Sequence, residues 1–285
     1  MTKLVREPAD FRRACDVARG DSLRVGLVPT MGALHEGHFS LIEEAKKRTD
    51  FVVVTIFVNP LQFAAGEDLD RYPRTLESDL AGCRERGVDA VFAPESGSMY
   101  PACFQSQVSV GLLTKPLEGQ FRPGHFDGVT TIVTKLFNLA GPCTALFGRK
   151  DYQQWKVLSR LAKDLDMPID VVGCATVREP DGLALSSRNR YLTTAQRGRA
   201  LGIVHGLRRA HDAWQRGERS PEALRLLGEK PVRSSFDRVD YVAAVDPETL
   251  EAPTEAPARL LIAVAATLET TRLIDNVVLG EDPLP

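Results

Sequence analysis

Two histidines three positions apart, His35 and His38, lie among glycines in the stretch PTMGALHEGH, residues 29–38. Imidazoles so placed can donate hydrogen bonds to phosphate oxygens and to charge that develops in a transition state. Gly32 and Gly37 let the backbone approach a ligand closely. The apolar run LRVGLV precedes the stretch. After it, Leu41, Ile42 and Ala45 follow His38 at the i, i+3, i+4, i+7 spacing of an inward-facing helical stripe. The pair therefore belongs at a strand-to-helix junction, with His38 in the first turn and His35 in the loop before it. A helix start offers unpaired N–H groups and a positive dipole end, so the place suits an anion. The stretch has neither the G-x-G-x-x-G nor the G-x-x-x-x-G-K-[ST] spacing, and loop histidines beside turn glycines are the plainer alternative.

Three further stretches carry polar residues at strand ends. In FVNPLQF, residues 57–63, Asn59-Pro60 reads as a turn, while the amide of Gln62 offers a donor and an acceptor suited to a hydroxy acid. In GRKDYQQ, residues 148–154, Asp151 and Gln154 have the spacing of a helix cap and its partner. A cap does not account for Lys150, whose ammonium at a strand end can neutralise triphosphate charge. In DGLALSSRN, residues 181–189, Ser186 and Ser187 can cap a turn, or join Arg188 in gripping the β- and γ-phosphates. Asp79 in TLESDL is a candidate Mg²⁺ ligand, although a solvated helix face is the commoner fate of such an aspartate. His125 in RPGHFDGV is placed beside the site with no defined chemistry. Trp155 and Trp214 read as packing residues, and His205 and His211 as histidines without a ligand.

The elements that must position these residues alternate. Strands are expected at 23–28, 51–58, 89–94, in TALFG and in IDVVG. Helices are expected from about Glu36 to Lys47, through LESDLAGCRERG, GVTTIVTKLFNLA and YQQWKVLSRLAKDL. FVVVTIFV is apolar almost throughout, as a strand covered on both faces should be. Repeated βα units imply a Rossmann-like, doubly wound parallel α/β sheet that binds ligands beyond the carboxyl ends of its strands. After residue 175 the rhythm changes to a long helix from Thr194 to about Gly217, a short one through PEALRLLGEK, and three antiparallel strands. The expected domains are 1–175, carrying nucleotide and hydroxy acid, and 176–285, a smaller C-terminal α+β lid. The stretch EAPTEAPA, residues 251–258, reads as a loop.

Composition narrows the class. The chain of 285 residues is 43% apolar and 26% charged with a formal net charge of −2, ordinary for a globular protein with a sizeable core. Interspersed charge argues against nucleic acid or a membrane surface as partner. No apolar stretch approaches the ~20 residues of a bilayer span, and the N-terminus lacks a signal-peptide core. The five cysteines form no C-x-x-C pair and read as reduced thiols of a cytoplasmic protein.

His-x-Gly-His after the first strand of such a sheet resembles the nucleotidylyl-transferase superfamily. More narrowly, PTMGALHEGH, FVNPLQF, DLDRYPRT, FRPGHFDGV, FGRKDYQQ and DGLALSSRN resemble the pantoate–β-alanine ligase family, in the family's order and over nearly the whole chain. The resemblance implies ATP-dependent condensation of (R)-pantoate with β-alanine to pantothenate. It proceeds through a pantoyl-adenylate and releases AMP and pyrophosphate, with ATP as substrate and Mg²⁺ accompanying it. It assigns Met31, Gly32, Ala33, Leu34, His35, Glu36, Gly37, His38, Gly148, Arg149, Lys150, Asp151, Val177, Leu185, Ser186, Ser187 and Arg188 to ATP. Gln62, Gln154 and Asn59 go to pantoate and β-alanine. His38, His35, Lys150 and Arg188 become the catalytic set, with His38 the family's proton donor, and a homodimer is implied. A transferase that leaves the nucleotide on its product, or an ATP sensor without turnover, are the rival readings.

Overall fold

The computed structural model describes residues 2–64, 66–253 and 258–285, so residues 254–257 of the expected EAPTEAPA loop lie outside the described residues. The first elements are β1 (Lys3–Val5), α1 (Pro8–Gly20), β2 (Val25–Thr30), α2 (Glu36–Arg48), β3 (Phe51–Ile56) and α3 (Leu76–Glu85). They continue with β4 (Ala90–Phe92), α4 (Ser96–Met99), α5 (Glu118–Phe121), α6 (His125–Ala140), β5 (Cys143–Gly148), α7 (Tyr152–Asp164) and β6 (Ile169–Cys174). These strands form one parallel sheet in the order β1-β4-β3-β2-β5-β6, the expected doubly wound architecture.

The apolar run of β3 explains its place inside the sheet. Val53 feeds one core with Phe11, Leu27, Phe92 and Phe137, while Val52 and Val54 feed the other with Ile42, Val91 and Leu146. Successive strand residues point to opposite faces, so a strand covered on both sides is apolar on both, and its one polar residue, Thr55, is fully buried. β1 and α1 were not among the expected elements. A three-residue strand shows no period, and its ladder partner β4 lies far along the chain. α1 did carry a signal: Pro8 at its start and Phe11, Cys15 and Ala18 buried along one face.

The remaining elements are α8 (Thr194–Gln215), α9 (Pro221–Ser235), β7 (Arg238–Val245), β8 (Leu260–Leu268) and β9 (Thr271–Leu279). The three strands form an antiparallel sheet with β8 in the middle, and all nine residues of β8 are buried. α9 runs past the expected PEALRLLGEK and through Pro231. Glycine packing carries it through that break: a Cβ on Gly206 of α8 would lie 2.3 Å from the Gly228 carbonyl of α9.

The contacts divide the chain into two units. The first is Met1–Thr114, Glu118–Arg149 and Gln154–Ala175, and the second is Lys115–Leu117, Lys150–Gln153 and Thr176–Pro285. No helix among the described residues is long and apolar enough to cross a membrane.

Candidate active site

In the first unit, β3, β2 and β5 are neighbours, and PTMGALHEGH and FVNPLQF lie at the carboxyl ends of β2 and β3, with Gly148 and Arg149 at that of β5. The chain moves from β2 to β3 on one side and places β5 on the other. The strand order therefore reverses beside β2, which is where open α/β sheets take their ligands.

The loop after β2 is held by its own sequence. Gly32 and Ala33 have φ of +83° and +51°, a left-handed pair of which only the glycine is unstrained. The hydroxyl of Thr30 accepts from the Gly32 N–H at 3.1 Å and itself donates to the Thr55 carbonyl at 2.7 Å. Asp79 of α3 is 2% exposed, and its carboxylate accepts from the Ala33 and Leu34 N–H groups at 3.0 and 2.8 Å and from the Thr75 hydroxyl at 3.2 Å. A buried carboxylate with several donors is thus what keeps Ala33 in its costly conformation.

The two histidines cap α2 reciprocally. His35 Nδ1 accepts from the Gly37 N–H at 3.1 Å, and His38 Nδ1 accepts from the His35 N–H at 3.4 Å. With Nδ1 accepting, a neutral ring carries its proton on Nε2, so both rings are Nε2–H donors. Their centroids are 4.1 Å apart. The sequence had placed His35 in a plain loop; the cap is a second role that its residue type does not advertise.

One expectation is corrected here. The start of α2 does not present a set of open N–H groups to an anion, because those of Gly32, Ala33, Leu34, His35, Gly37 and His38 all have protein acceptors. Side chains, the imidazoles first, are the donors this junction can offer. Ala33 and Leu34 are buried, and Glu36 is exposed with Arg86 3.4 Å away.

After β3, a single 3₁₀ turn Pro60–Gln62 follows Asn59. Asn59 is 1% exposed; its Nδ2 donates to Gln62 Oε1 and to the Gly128 carbonyl, both at 3.1 Å, and its Oδ1 accepts from Tyr100 at 2.8 Å. Expected as a substrate contact, Asn59 also braces Gln62. The Gln62 Nε2 lies 3.0 Å from Met31 Sδ, which joins this turn to the histidine loop. Gly148 at the end of β5, and Arg149 and Gln154 beyond it, are half-buried.

The second unit holds the other expected residues. Lys150 and Asp151 form an ion pair at 3.9 Å, and the Lys150 carbonyl accepts from Asn276 of β9 at 2.8 Å. Val177 and Leu185 are joined by a backbone hydrogen bond of 3.0 Å across a tight hairpin, pinned by Arg197 to Glu179 and Asp181 at 2.7 and 2.8 Å. Ser186 accepts from the Arg188 N–H at 3.2 Å and caps a 3₁₀ turn Ser187–Tyr191.

A family model described as pantoate-beta-alanine ligase matches residues 3–278. The chain belongs to the pantoate–β-alanine ligase family. Pantothenate synthetase of Geotalea uraniireducens (strain Rf4) is 49% identical over 281 residues, 98% of this chain and 100% of that protein. Pantothenate synthetase 1 of Bradyrhizobium diazoefficiens is 48% identical over 284 residues, 99% of each. A crystal structure of pantothenate synthetase from Thermus thermophilus matches with a TM-score of 0.91 at 45% identity, covering 96% of this chain and 98% of that one. A crystal structure of pantoate-beta-alanine ligase from Francisella tularensis, complexed with beta-gamma ATP and beta-alanine, matches at 0.81 and 32% identity, with both chains fully covered.

For a member of the pantoate–β-alanine ligase family, two features went unread in the sequence. Asp79, expected as a Mg²⁺ ligand, serves in this structure as a loop anchor, its oxygens accepting from backbone N–H groups and a threonine hydroxyl. Among the described residues no group of three or more His, Cys, Asp or Glu gathers to hold a metal ion. The second is a buried cluster around His125, whose imidazole burial and the nearby Arg122 push down to about 4. The only sequence signal for it was the density of Gly, Arg and His in FRPGHFDGV.

Proposed function

We propose that this chain condenses (R)-pantoate with β-alanine at the expense of ATP, through a pantoyl-adenylate. A carboxylate is a poor electrophile toward an amine, and adenylation supplies the leaving group it lacks. In the first half-reaction a pantoate carboxylate oxygen attacks the α-phosphorus and the bond to pyrophosphate breaks. In the second the β-alanine amine attacks the acyl carbon, AMP departs, and the amine gives up a proton.

The observation that carries this reading is the imidazole pair, held as Nε2–H donors at the carboxyl end of β2 beside the reversal of strand order. Neutral donors fixed in advance stabilise developing phosphate charge without reorganising, which favours electrostatic stabilisation by His38 over formal proton donation. Gln62, Gln154 and Asn59 take the hydroxy acid and β-alanine. The remaining ATP contacts follow the family resemblance: Met31 through His38, Gly148, Arg149, Asp151, Val177 and Leu185. Lys150, Ser186, Ser187 and Arg188 carry triphosphate charge, and 176–285 acts as a lid over the nucleotide-binding domain. Mg²⁺ enters with ATP as part of the substrate. The five free thiols fit a reducing, cytoplasmic setting, and a homodimer completes the reading.

ATP–pyrophosphate exchange tests it. Exchange is expected to require pantoate but not β-alanine, and His38→Ala is expected to lower it by about 10²–10³. Exchange that proceeds only with β-alanine present would exclude a free acyl-adenylate.

A further inference from the structure

We propose that Arg122 and His125 are positioning residues that clamp the backbone carbonyl of Gln62 and so fix the amide offered to the hydroxy acid. The inference rests on the pantoate reading of Gln62 given above and adds to it the residues that hold Gln62 in place.

The carbonyl of Gln62 closes a 3₁₀ turn, where the last carbonyls lack partners within the turn. Two side chains reach it: His125 Nδ1 at 2.8 Å and Arg122 Nη2 at 3.3 Å. Arg122 is itself held by a two-pronged pair to Glu67, with Nε and Nη2 each 2.7 Å from a carboxylate oxygen, and Glu118 lies 3.6 Å from its Nη1. The same Nη1 is 3.1 Å from His125 Nε2. A guanidinium can only donate, so Nε2 accepts and the ring proton belongs on Nδ1, aimed at the carbonyl. One arrangement of protons satisfies the whole chain from the Glu67 carboxylate through Arg122 and His125 to Gln62.

The opposite side of Gln62 is held as closely. Asn59 donates to its Oε1, its Nε2 meets Met31 Sδ, and a Cβ on Gly128 of α6 would lie 2.2 Å from the Leu61 carbonyl. Both the main chain and the amide of Gln62 are therefore oriented by named contacts. A histidine that only filled space would need no proton arrangement in common with an arginine and a main-chain acceptor.

Two isosteres separate positioning from packing. In His125→Asn the amide nitrogen takes the place of Nδ1 and keeps the donor to Gln62, whereas in His125→Gln it takes the place of Nε2 and loses it. Pantoate-dependent exchange is expected to show His125→Asn within about threefold of wild type in KM for pantoate. His125→Gln should raise that KM roughly tenfold, the size of one lost hydrogen bond, with KM for ATP within about twofold in both variants. Glu67→Gln, which loosens Arg122 and leaves the imidazole in place, should raise the pantoate KM about threefold. Equal pantoate KM in wild type and His125→Gln overturns the clamp alone, as does an equal rise in both KM values. If His125→Gln does not fold, an unshifted Glu67→Gln overturns it. Wild-type exchange that is indifferent to pantoate overturns the reading of Gln62 and the clamp with it.

Discussion

Asp79 shows how one side chain can look like chemistry in sequence and act as architecture in the fold. Its carboxylate replaces water with two backbone N–H groups and a hydroxyl, and these hold Ala33 at a positive φ. Asp79→Asn keeps an acceptor for one N–H and turns an NH₂ toward the other. Leaving a buried donor unmet costs about 1–3 kcal/mol, so Tm should drop and the histidine loop should lose its fixed entry. Pantoate-dependent exchange is expected to fall about tenfold or more, with the Mg²⁺ concentration for half-maximal rate within about twofold of wild type. A large rise in the Mg²⁺ requirement would return Asp79 to a metal role. Sequence could not separate these fates, because an aspartate at a helix's first turn reads the same whether its partners are water, metal or a distant main chain.

At the scale of elements, α6 is the part that the site depends on most plainly. It begins at His125, three residues before the expected stretch GVTTIVTKLFNLA, with Gly124 as its cap and Phe126 already on the buried face that Val129 and Val133 continue. Gly128 lets its backbone meet the turn that carries Gln62. Gly128→Ala should cost about 1–3 kcal/mol through overpacking and raise the KM for pantoate, as thermal melts and exchange assays would show. Gly198→Ala on α8 is the control: nothing lies within 4 Å of its Cβ position. That change is expected to leave activity alone and to stabilise by up to about 1 kcal/mol. Equal effects at the two glycines would remove the steric argument.

The whole chain's response to pH follows from the same buried cluster. His125 is held at about 4 instead of its ordinary 6.5, first by burial and then by Arg122. Below pH 6.5 the unfolded chain therefore binds a proton that the folded chain refuses, and stability falls with pH until about 4, by on the order of 3 kcal/mol. Burial would raise the Glu67 carboxyl, yet hydrogen bonds from Arg122 outweigh it and hold the group below its ordinary 4.5. Its contribution is present above 4.5 and lost as pH falls through the lowered value. Both effects have one sign, so Tm should decline from pH 7 to 5 and further below. His125→Asn should flatten the upper part of that decline, and a wild-type Tm that is level from pH 7 to 5 would contradict the account.

From residue order alone came the doubly wound parallel sheet, the change of rhythm near residue 175, the strand-to-helix setting of His35 and His38, and the family. These are legible because hydrophobic period and turn residues act locally, over a few positions of chain. What the tertiary structure alone decided is which polar groups spend their hydrogen bonds on each other. Asp79 reaches back to Ala33, Asn59 to Gly128, and Arg122 to Glu67. Such pairings join residues whose separation along the chain carries no periodic signal, and a carboxylate, amide or guanidinium declares its partner only once folding has brought the two within hydrogen-bonding distance.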